Sequence, residues 1–168
     1  MNRFIFVLLF MSLNCWSNPR TPLTFEIKSS ITSAVLDYKI TNVNFVPDSL
    51  YLQYDKDTEA FVSVDLALVI DTNIPTDEPD SFLYSLVMIE NSSECFTRDD
   101  EFVDSLPPSV SINDTPLILD TPLSSMSFDD ESGGFLSDKN DVKLIFNQLD
   151  KSIEKCSGDI SVEVGVDI

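Results

Sequence analysis

Residues 23–35 read LTFEIKSSITSAV, the alternation of a strand with one buried face. Odd positions carry Leu23, Phe25, Ile27, Ser29, Ile31, Ser33 and Val35. Even positions carry Thr24, Glu26, Lys28, Ser30 and Thr32. Chain ends are where order is usually poorest, so a terminus patterned this strongly must be inserted somewhere. Burying Leu23, Phe25, Ile27 and Ile31 contributes about 1.5–3 kcal/mol each, or about 6–12 kcal/mol before ordering costs. The strand has two destinations, its own sheet or the sheet of a second molecule, and the pattern leaves both open.

The same period recurs downstream. Leu50, Leu52 and Tyr54 share a face between Pro47 and an Asp55-Lys56-Asp57 turn. Val62, Val64, Leu66, Leu68 and Ile70 are in step, and Phe82 to Ile89 is apolar on both faces, as in a fully buried strand. Val110 and Ile112 precede an Asn113-Asp114 turn. Leu117 to Leu119 and Met126 to Phe128 are shorter pieces. The chain ends on Ile160, Val162, Val164, Val166 and Ile168. Turn-forming residues fill 73–80, 107–108 and 129–134. Short strands and turns at this spacing predict one all-β domain, a sandwich or a barrel.

One segment reads two ways. Val142, Ile145, Phe146, Leu149 and Ile153 fit helical spacing, with Asp141 and Gly158 as end signals. Val142, Leu144 and Phe146 also alternate. Helix and strand both stand for 141–156.

The first 17 residues, MNRFIFVLLFMSLNCWS, place a positive Arg3 before a short apolar run and small residues at Cys15 and Ser17. The run is too short to span a bilayer, which takes about 20 residues. It reads as a signal peptide, 1–17, and lipid attachment at Cys15 is the rival reading. Cleavage leaves about 150 residues, enough for one core. Two cysteines then remain, Cys95 and Cys156. An even count in an exported chain predicts a disulfide, with two free buried thiols as the alternative. Closing that loop contributes about 4 kcal/mol in the chain-entropy description.

The formal charge is −19, from 29 acidic and 10 basic residues. Such a surface repels nucleic acid and anionic membranes. The chain has no histidine, which removes the commonest general base and the Ser-His and Cys-His pairs. No glycine pattern cradles a phosphate. The clusters Asp77, Glu78, Asp80; Asp99, Asp100, Glu101, Asp104; and Asp129, Asp130, Glu131 lack calcium-loop spacing and read as solvated turns. Neither a cofactor nor enzymatic activity is expected. Asn91-Ser92-Ser93 and Asn113-Asp114-Thr115 fit a glycosylation pattern that matters only in a eukaryotic secretory route.

The order of these pieces resembles the alpha-type, or class 5, fimbrial pilins of enterotoxigenic and related bacteria. These are the coli surface antigen and colonization factor type of the alternate chaperone-usher pathway. FEIKSSITSAVLDY resembles their N-terminal donor segment, and PDSLYLQYDKDTEAF their early strand and loop. IDTNI, LPPSVSINDTPL, MSFDDESGG and CSGDISVEVGV are similar to later stretches in the same order.

The resemblance implies an incomplete immunoglobulin-like β-sandwich, completed by a donor strand from a neighbouring subunit. It divides the chain into a signal peptide at 1–17, a donor extension at 18–36 and a pilin domain at 37–168. It implies Leu23, Phe25, Ile27, Ser29 and Ile31 as donor positions, and Ile160, Val162, Val164 and Val166 in the acceptor groove. It places a strand at Val142 to Phe146, then a loop. The implied partners are further copies or related pilins, a periplasmic chaperone, an outer-membrane usher and a host receptor. The implied location is the periplasm, then a fimbrium on the cell surface. The rival to this fibre subunit is a self-complete secreted sandwich that binds a carbohydrate or protein.

Overall fold

A computed structural model describes residues 25–32, 38–78 and 80–167. The 1–17 signal segment, Leu23, and those parts of the 18–36 extension outside 25–32 lie outside the described residues. The strands are, in order, β1 (Phe25–Thr32), β2 (Ile40–Val46), β3 (Ser49–Leu50), β4 (Tyr54–Asp55), β5 (Ala60–Phe61), β6 (Val64–Pro75) and β7 (Leu83–Phe96). They continue with β8 (Phe102–Asp104), β9 (Ser109–Ile112), β10 (Thr115–Leu117), β11 (Leu123–Ser127), β12 (Asp130–Ser132), β13 (Phe135–Ile145) and β14 (Lys155–Asp167). No helix occurs among the described residues.

Two sheets face each other in an immunoglobulin-like sandwich. The first has the order β11-β7-β14-β1-β3, with β8 also on β7. The second has the order β10-β9-β13-β6-β2, with β12 also on β13. A small β4–β5 hairpin stands apart. The alternation explains the layers. In β6, Leu66, Leu68, Ile70 and Ile74 are buried, and in β13 so are Val142 and Leu144. Across the core lie Tyr84, Leu86 and Met88 of β7 and Ile160, Val162 and Val164 of β14. Ile40, Val43 and Phe45 of β2 belong to the same cluster.

Two hairpins follow from local chemistry. Asn113 and Asp114 both take positive φ, 48° and 64°, which gives the tight turn between β9 and β10 a twist that matches its strands. Gly133 and Gly134, at φ 62° and 86°, do the same between β12 and β13. There the backbone conformation, and no steric crowding, is the reason for glycine.

Several expectations need correcting. Phe82 to Ile89 is no doubly buried strand: Leu83 and Ile89 face outward, at 37% and 44% exposure. The outer face of an antiparallel sheet tolerates apolar residues, and the alternation Tyr84, Leu86, Met88 marks the inner face. Val62 lies outside β6 and is exposed, as is Tyr54, while Leu52 is buried without being in a strand. The turn expected from Asn73 begins later, because β6 runs to Pro75. The region 129–134 contains strand β12 before its glycine turn. Residues 141–145 finish β13, and the chain then loops through 146–154. The helical spacing of Leu149 and Ile153 reflects a loop that folds back under the sheet end: the Leu149 amide donates to the Glu59 carbonyl at 2.8 Å.

Candidate functional site

The positions expected to line a groove all lie on the last strand, β14. Ile160, Val162 and Val164 are 1%, 0% and 0% exposed, and Val166 is half-buried near the strand end. On one flank β14 pairs antiparallel with β7 from Lys155↔Phe96 to Asp167↔Leu83. On the other flank it pairs with β1, in parallel, from Phe25↔Gly158 to Thr32↔Gly165. The four groove positions named from the sequence are therefore brought together on one strand. Four of the five donor positions fall on the strand beside it, and Leu23 lies outside the described residues.

The register decides which positions meet. Ile27 is opposite Ile160, Ser29 opposite Val162, and Ile31 opposite Val164. Phe25 is opposite Gly158, where the facing residue has no side chain. The outer edge of β1 is thinly paired: β3 meets it only at Phe25↔Leu50 and Glu26↔Ser49. From Ile27 to Thr32 that edge has no strand partner among the described residues.

Cys95 and Cys156 are direct register partners of β7 and β14, and they form a disulfide. The pair is buried and ties β14 to the strand on its far side from β1. A β-bulge lies between that clamp and the groove centre. Glu90 pairs with Ser161 and Met88 with Val162, which leaves Ile89 as an extra residue in β7. Sequence reasoning missed it, because the parity change that marks it shows only in which residues are buried. Inward residues are even up to Met88 and odd from Ser93 to Cys95.

In the same sheet as β14 and β1, Tyr84 of β7 reaches across the core to Asp138 and Asn140 of β13. The Tyr84 hydroxyl donates to Asp138 Oδ2, and Asn140 Nδ2 donates to the Tyr84 oxygen at 2.8 Å. Asn140 Oδ1 accepts from Asn113 Nδ2 at 2.8 Å. Burial and the neighbouring Asp138 carboxylate push the Tyr84 hydroxyl well above its ordinary range.

Among the described residues, no group of three or more carboxylate or thiol ligands is placed to hold a metal. Both glycosylation-type asparagines are engaged: Asn91 Nδ2 donates to the Pro108 carbonyl at 2.9 Å, and Asn113 is held by Asn140 and Asp141. An opening of about 370 Å³ flanks Asn91, with Met88, Pro108 and Leu119 in its walls.

No protein-family model matches the chain. No curated protein matches it. Among solved structures, the chain is similar to the CooA pilin subunit from enterotoxigenic Escherichia coli, with a TM-score of 0.45 and 13% identity over 73% of this chain and 96% of that one.

Proposed function

We propose that the chain is a structural fimbrial subunit that polymerises by donor-strand exchange. The observation that carries this reading is the position of β1. An N-terminal strand, joined to the body by one long ladder, covers the whole edge of β14 from Gly158 to Gly165. Without it, β14 becomes an edge strand and the core opens at Ile160, Val162 and Val164. Exposing those three residues costs about 5–9 kcal/mol, before the unpaired backbone is counted. The groove must therefore always hold a strand, and an identical strand from another copy satisfies it equally well. A head-to-tail exchange of this kind does not close on itself and builds a filament.

In this reading Leu23, Phe25, Ile27, Ser29 and Ile31 are the donor positions, and Ile160, Val162, Val164 and Val166 line the acceptor. A periplasmic chaperone holds the groove before assembly, an outer-membrane usher passes subunits to the surface, and the fibre meets a host receptor. The subunit has no catalytic role. Phe25→Asp with Ile27→Asp abolishes filaments seen by electron microscopy of surface-sheared material, while export to the periplasm persists. Filaments of normal length from this variant would sink the assignment.

The placement of β1 in the sheet of its own chain favours a second reading, a self-complete sandwich that binds a carbohydrate or protein. There, deleting residues 18–36 unfolds the protein, and no added strand rescues it. In the fibre reading the deleted chain recovers its fold when a peptide of residues 23–35 is supplied.

A further inference from the structure

The strand that fills the groove belongs to the same chain, and its direction is set by a short tether. We propose that a mature monomer with no chaperone in its groove is latent: β1 closes that groove in parallel register, and assembly waits on its release. The inference rests on the donor-strand reading above.

Geometry supports it at three points. β1 ends at Thr32, beside Gly165, and β2 begins at Ile40, paired to Thr72 in the facing sheet. The link 33–39, about seven residues, reaches about 25 Å when fully extended. The eight-residue β1 is itself about 26 Å long. Reversing β1 would carry Thr32 to the Gly158 end. The link would then have to run back along the groove and also cross the gap of about 10 Å between sheets. That leaves no slack, so the chain closes on itself only in the parallel sense. A strand from another copy carries no such tether.

The hold on β1 is also one-sided. From Ile27 to Thr32 it has a ladder to β14 and no second strand among the described residues. It can be peeled from its free edge. The buried Cys95–Cys156 disulfide keeps β14 with β7 while this happens. Opening thus vacates the acceptor without dismantling it, and entry of a new strand follows opening as a separate step.

The test uses the chain without residues 1–17 and a fluorescent peptide of residues 23–35. Peptide uptake by the unaltered chain reaches a plateau rate as peptide is raised, because opening becomes limiting. Phe25→Asp with Ile27→Asp weakens the closed state and speeds uptake by about tenfold or more. A second variant leaves the core unchanged: Ser30→Cys with Glu163→Cys joins two register partners outside the groove positions. When oxidised it takes up no peptide, and mild reduction restores uptake. Uptake that rises linearly with peptide at the weakened variant's rate, indifferent to the lock, would overturn latency and leave strand exchange standing. Uptake by none of these chains would overturn strand exchange, and latency with it.

Discussion

The Tyr84 side chain is wholly buried between the sheets, and its hydroxyl gives a proton-bearing contact to Asp138 while receiving one from Asn140. Asp138 keeps other donors, Lys139 N at 2.9 Å and Asn140 Nδ2 at 3.0 Å. Tyr84→Phe therefore leaves no bare carboxylate, and its expected cost is about 1–2 kcal/mol in denaturant unfolding. The pH dependence is more diagnostic. Folding holds the phenol in its neutral form, so its folded pKa lies above the unfolded value of about 10. The associated stability is fully present below about pH 10. It falls by up to about 1.4 kcal/mol per unit as the pH rises further, because only the unfolded chain releases the proton. Tyr84→Phe lacks that component. Between pH 10 and 11 its stability should decline less steeply than that of the unaltered protein. Parallel slopes for the two proteins would refute the burial argument.

At the scale of strands, Ile89 makes a sharp case. It is the residue in excess where β7 pairs with β14, and all its neighbours keep their partners if it is removed. Deleting Ile89 should leave Cys95 opposite Cys156. A thiol titration of the unfolded mature variant then finds no free thiol. Two free thiols would mean that Ile89 is an ordinary ladder residue whose loss slips the strand by one. This bulge also shows where the sequence was silent. Alternation gave the inner faces of β6, β9 and β14, because burial on one side of a strand writes a period of two. It failed in β7, where an extra residue resets the period, and the apolar Leu83, Val87 and Ile89 imitated a doubly buried strand. It was ambiguous at 141–156, because Leu149 and Ile153 reach the core from a loop, where no period applies. The buried face of β14, with Ile160, Val162 and Val164, was legible for the same reason as that of β6. The origin of the strand beside them was not. A period of two fixes which face of β1 is apolar, but no pattern within one chain specifies which copy receives it.

Over the whole molecule the dominant long-range force is self-repulsion. The formal charge of −19 comes from 29 acidic residues against 10 basic ones. Ion pairs among the described residues include Lys151–Glu59 at 2.8 Å and Lys155–Asp100 at 3.7 Å, and both lysines are largely exposed. Such surface pairs contribute about 0–1 kcal/mol each. Salt therefore screens much repulsion and little attraction. Raising sodium chloride from about 0.01 to 0.15 M shortens the screening length from about 30 to 8 Å, too little salt for strong effects on apolar burial. The melting temperature of the monomer should rise over this range. In the proposed strand exchange the same repulsion acts between approaching subunits, and on that reading filament growth should accelerate over the same interval. A melting temperature that falls with salt would show that local ion pairs outweigh the net charge. If the monomer gained stability while growth stayed flat, the exchange surface would lie away from the charged faces, and strand release would set the rate.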